Sequence, residues 1–127
     1  MSSYIRLDSS TLEIKAEQVK DILKEIKEKF KDREWNKFSD VLKDIGFEYE
    51  FDEDELKYTF TYGDTNELYE MEDIFNIIAK HIDKEKRMIV VISYLDYNER
   101  MKFVFYNGKC KDIKEIKRWA DNMDLDF

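Results

Sequence analysis

The chain has 127 residues, 41% of them charged and 43% apolar, with 15% aromatics and a formal net charge of −8. This fits a single folded domain of residues 1–127 and argues against a disordered chain. The lone cysteine, Cys110, excludes a disulfide framework and any multi-cysteine zinc site. The longest apolar run, Met88 to Ile92, is too short to span a bilayer, so a cytoplasmic protein without a targeting or membrane segment is expected.

Ser10 and Glu13 can form a capping box, and Leu12, Val19, Ile22, Leu23, Ile26 and Phe30 follow at helical spacing. That predicts a first helix from about Thr11 to Lys31. A second apolar stripe, Trp35, Phe38, Val41, Leu42 and Ile45, predicts a helix from about Arg33 to Ile45, stopped by Gly46 as a left-handed cap. Phe47, Tyr49 and Phe51 alternate with Glu48 and Glu50, and Leu56, Tyr58, Phe60 and Tyr62 alternate with Lys57, Thr59 and Thr61, so two half-buried strands make a hairpin. Leu68, Met71, Ile74, Phe75, Ile78, Ala79 and Ile82 trace a third helix.

The segment "RMIVVISYL" reads as a central strand paired with "RMKFVFY" through a turn around Asp96 to Glu99. Asn107-Gly108 signals a type I′ hairpin returning through Cys110, and Asp112 and Glu115 can cap a last helix. "SYIRL" at the N-terminus can add an edge strand. The expected fold is α+β, an antiparallel sheet of four to five strands with helices packed mainly on one face, in the order α-α-β-β-α-β-β-α.

Charge is unevenly placed. Between Glu48 and Asp73 there are eleven acids and one base, Lys57. An EF-type calcium loop starting at Asp52 fails, because Leu56, Lys57 and Gly63 fall on its fifth, sixth and twelfth positions. A hairpin tip is the simpler reading. The other reading is a negative surface that competes for a basic nucleic-acid cleft, since phosphate affinity is mostly sequence-independent electrostatics. Same-face residues on a strand recur only every ~6.8 Å, against one duplex charge per ~1.7 Å. The hairpin therefore needs the acids of the third helix beside it to imitate nucleic acid well.

The isolated glycines Gly46, Gly63 and Gly108 make no phosphate loop, and no cofactor is expected. His81 and Cys110 lack the flanking signature of a nucleophile and base, and His81 reads as a packed or half-exposed side chain. The Lys/Arg between Lys102 and Arg118 interleave with aromatics that belong to the core, so direct nucleic-acid binding is not expected. Lys20, Lys24, Lys27 and Lys31 read as the solvated face of the first helix.

The stretch "FNIIAKHIDKEKRMIVVISYLDYNERMKFVFYNGKC" resembles small phage and plasmid accessory proteins, in which a helix leads into a strand, a polar turn, an aromatic strand and "NGK". The resemblance implies a mobile-element setting, where anti-CRISPR and anti-restriction inhibitors occur, and implies no catalytic residues. The expectation is a non-enzymatic inhibitor bound to the basic nucleic-acid-binding surface of a host defence nuclease. Its partner-binding residues are Glu48, Glu50, Asp52, Glu53, Asp54, Glu55, Asp64, Glu67, Glu70 and Asp73, with Tyr49, Tyr62 and Tyr69 as aromatic anchors. The alternatives are a small-ligand-binding or sponge protein and a homodimeric regulatory module.

Overall fold

The computed structural model describes residues 5–65, 68–94 and 99–112. The elements run β1 (Ile5–Ser10), β2 (Glu13–Lys15), α1 (Ala16–Lys29), α2 (Phe38–Asp44), β3 (Phe47–Asp52), β4 (Lys57–Thr65), α3 (Leu68–His81), β5 (Met88–Tyr94), β6 (Glu99–Tyr106) and β7 (Lys109–Asp112). All pairings are antiparallel, and the fold is α+β as the hydrophobic patterns imply. The last helix expected from Asp112 onward and the turn at 96–99 lie largely outside the described residues.

The N-terminal strand is central rather than an edge. β1 pairs with β4 on one side and β5 on the other, so it joins the β3–β4 hairpin to the β5–β6–β7 meander. Its position follows from burial. Ile5 and Leu7 are buried, and β5 is an apolar strand whose neighbour must supply both backbone partners and an apolar face.

The first helix also starts later than its apolar spacing suggests. Residues 13–15 pair with Thr59, Tyr58 and Lys57 as β2, and Leu12 and Ile14 are buried with strand alternation. A period of two and a period of 3.6 both accept Leu12, and pairing to β4 decides between them. The cap is therefore not Ser10 and Glu13. The Lys15 N–H donates to Gln18 Oε1 at 2.9 Å, and the Ala16 N–H donates to the Leu56 carbonyl at 2.8 Å. Ser10 Oγ instead accepts from the Leu12 N–H at 3.2 Å, and Thr11 exchanges hydrogen bonds with Ile89.

The second helix shortens to Phe38–Asp44. Asp40 Oδ2 accepts from the N–H groups of Asn36 and Lys37, both at 3.1 Å, and closes the helix start after Trp35 has already entered the core. Gly46 (φ +83°) ends it in the left-handed region, and Asn107 (φ +55°) and Gly108 (φ +76°) make the expected β6–β7 turn.

One core holds the layers together. Phe75 on α3 packs its ring 5.9 Å from Phe47 and 5.4 Å from both Phe103 and Phe105, which ties the helix to both halves of the sheet. Ile22 and Ile26 of α1, and Val41 and Leu42 of α2, complete the same cluster. Among the described residues no helix is long and apolar enough to cross a membrane.

Candidate functional site: the acidic β3–β4 hairpin

β3 puts Phe47 and Tyr49 on the helix-covered side, so Glu48 and Glu50 point to the other face, and both are exposed. Asp52 begins the turn. Its Oδ1 accepts from the N–H groups of Asp54 (2.9 Å) and Glu55 (3.1 Å), so that carboxylate builds the tip, and Leu56 (φ +52°) completes the reversal. The side chains of Glu53, Asp54 and Glu55 are left exposed around it.

Lys57, the one base of the block, is already engaged. Its Nζ pairs with Glu55 and lies 3.4 Å from Glu13, which itself takes Lys86 at 3.2 Å. Hydrogen bonding to Glu55 raises the Lys57 ammonium above its ordinary value. The Lys86 hydrogen bond, with help from Lys57, holds the Glu13 carboxyl below the usual range.

A bulge in β4 reassigns its aromatic residues. Tyr49 faces Phe60 but Glu48 faces Tyr62, so Thr61 is the extra residue and the parity flips between Phe60 and Tyr62. Tyr58 and Phe60 stay on the core side. Tyr62 turns outward, 41% exposed, and its hydroxyl donates to Asp64 Oδ2 at 3.0 Å, which raises the phenol above its usual value. Gly63 turns inward under Phe47, where a side chain would collide with the ring.

The other expected site residues go elsewhere. Asp64 pairs in register with Arg6, its N–H donates to the Gly46 carbonyl at 2.9 Å, and its buried Oδ1 has no hydrogen-bond partner among the described residues. It belongs to the strand junction. Glu70, only 12% exposed, meets Arg33 in the α1–α2 connection, where Arg33 also stacks 5.3 Å from the Trp35 ring and Trp35 Nε1 donates to Asp44. Asp73 is half-buried on α3, within reach of Glu72. Glu67 and the side chain of Tyr69 lie outside the described residues.

Glu48, Glu50 and Asp52 to Glu55 thus come together on one hairpin. Glu70 and Asp73 stay in the helix layer, on the far side of the sheet from Glu48 and Glu50. Tyr49 is half-buried 5.4 Å from the Tyr58 ring, so the exposed apolar groups beside the acids are Phe51 (38%), Leu56 (56%) and Tyr62. The first two escape a parity argument, because alternation assigns Phe51 and Leu56 to the core face, whereas both side chains are left exposed in the folded chain.

A further titratable cluster joins two helices. His81 Nε2 lies 3.0 Å from Glu25 Oε1 and Lys80 Nζ 2.8 Å from Glu25 Oε2, joining α3 to α1. Cys110 sits half-buried on β7. Among the described residues no group of three or more His, Cys, Asp and Glu is placed to hold a metal ion. Neither a protein family model, a curated protein nor a solved structure matches this chain.

Proposed function

We propose that this chain is a non-enzymatic interaction protein, an acidic inhibitor of the mobile-element kind, that docks the β3–β4 hairpin onto the basic nucleic-acid-binding surface of a host defence nuclease. One observation carries the reading. Six acids, Glu48, Glu50 and Asp52 to Glu55, are exposed on one hairpin, and the only base within it is committed to Glu55 and Glu13. An exposed surface of one sign raises the encounter rate with an opposite surface and loses that advantage as salt rises. Phe51, Leu56 and Tyr62 beside those acids supply apolar area that can be desolvated on docking.

The hairpin alone is sparse compared with a duplex, so the reading requires contact with part of a nucleic-acid channel rather than imitation of a long helix. Capture of a nuclease from host lysate, followed by competition with its guide or target nucleic acid, tests this. Competition is expected, together with a loss of at least about tenfold in affinity for Glu48→Lys/Glu50→Lys/Glu53→Lys. Undiminished inhibition by the charge-reversed variant refutes it.

A further inference from the structure

β3 lies at the edge of the sheet. It pairs with β4 on one side, and among the described residues no backbone or side-chain group hydrogen-bonds to its other edge. Alternate residues of an edge strand direct N–H and C=O groups away from the sheet, a row that a further strand can pair with. The strand carries no proline, and the bulge that twists this hairpin lies in β4, so the row along Phe47–Asp52 is uninterrupted.

A cleft of about 600 Å³ lies against the first half of β3, at Phe47 to Tyr49. Its walls are Ser39 and Lys43 from α2, Glu48 and Tyr49 from β3, and Thr61 and Tyr62 from β4. A strand edge beside a helix is the arrangement in which an extended peptide takes both main-chain hydrogen bonds and side-chain pockets.

Charge selects the occupant. A second copy of the chain pairing β3 to β3 would place Glu48, Glu50 and Asp52 against one another, and like charges directly opposite are destabilising. An extended segment with Lys or Arg at every second position puts its cations over Glu48 and Glu50, which stand on one face of the strand. Lys43 on the helix wall requires that the alternate side chains facing α2 be neutral or acidic.

We propose that β3 is a strand-addition edge, and that its occupant is an extended segment of the partner with alternating basic and neutral residues. This rests on the reading above that the partner is a basic protein. It adds that main-chain pairing, and not surface charge alone, makes the contact.

The test uses three short capped peptides on the full chain. One alternates Lys with Val and Ser, one carries Glu in place of Lys, and one is the Lys peptide N-methylated at every second amide on its pairing edge. Binding is read by amide chemical shifts and hydrogen exchange over residues 47–52. The Lys peptide is expected to shift and protect those amides, while N-methylation abolishes the protection and weakens binding at least about tenfold. Glu48→Lys and Glu50→Lys are each expected to weaken it about 2- to 5-fold, and unchanged exchange of the β5 amides confirms that these variants fold.

Equal binding of the methylated and parent peptides overturns strand addition but leaves an acidic docking surface intact. Binding of the Glu peptide as tightly as the Lys peptide overturns the choice of occupant. Absence of any β3 response to the Lys peptide, in a protein that still captures a nuclease through the acidic tip, overturns this inference and spares the proposed function.

Discussion

Replacing Gly63 with alanine tests the bulge and the packing over it together. Gly63 lies in β4 opposite Phe47, and a Cβ built there falls inside 3.0 Å of Phe47 Cδ1 and Cε1 and 3.1 Å from Leu7 Cβ. Carbon pairs are most favourable at about 3.5–4.0 Å, so the ring has to move by more than about half an ångström. It has little room to do so. Phe47 is 3% exposed and wedged between Phe60 (centroids 5.1 Å) and Phe75 (5.9 Å), both of them buried.

Overpacking of this kind costs about 1–3 kcal/mol, and removing a glycine from the unfolded chain returns about 0.4–1 kcal/mol. The difference spans about 0–2.6 kcal/mol, and because the wedged ring has little room to yield, the upper part is expected, about 1–2.6 kcal/mol or a fall of about 4–10 °C in Tm for a domain of this size. Thermal unfolding by circular dichroism and urea titration measure it. In a Phe47→Leu background the obstructing ring atoms are gone, so the same substitution is expected to cost less, with a coupling of about 0.5–3 kcal/mol between the two sites. A Gly63→Ala protein as stable as its parent would refute the claim that Phe47 packs directly on the backbone at the bulge.

Two further predictions concern titration. Glu72, half-buried near Asp112 and Asp73, has its carboxyl raised first by burial and then by those two like charges. The native state therefore holds that proton more tightly than the unfolded chain, and stability falls as pH rises from the ordinary glutamate range through the raised value. Glu72→Gln is expected to be more stable than the parent at neutral pH, with the gain vanishing at acid pH in paired urea titrations. An equal gain at both extremes contradicts it. Glu25 has the opposite sign. Hydrogen bonds from Lys80 and then His81 hold its carboxyl below the usual range, so its contribution is full above the ordinary glutamate value and is lost as pH falls through the lowered one. Glu25→Gln should cost less than about 1 kcal/mol at neutral pH and nothing in strong acid, because the pair is partly solvated.

Local pattern determined a good deal of this molecule. Alternation of aromatics with Glu48, Glu50, Thr59 and Thr61 specifies the acidic hairpin, the 3.6-residue stripe from Leu68 to Ile82 specifies α3, and Asn107-Gly108 specifies the β6–β7 turn, because in each case chain chemistry and burial agree. Composition also placed the acids in one block. It did not determine which of them share a surface.

Only the tertiary structure decided that β1 is central, since the place of a strand within a sheet depends on which distant partner completes its backbone pairing. It also decided that residues 13–15 extend as β2, where β4 offers partners to a segment ambiguous by itself. The β4 bulge, invisible to a strict period of two, turned Tyr62 out and Gly63 in. The block from Glu48 to Asp73 was divided by the same logic. The strand alternation that buries Phe47 sends Glu48 and Glu50 to the open face, and Arg33, distant in sequence, takes Glu70 into the helix layer. What remains exposed is the hairpin edge, a surface created by the sheet ending there.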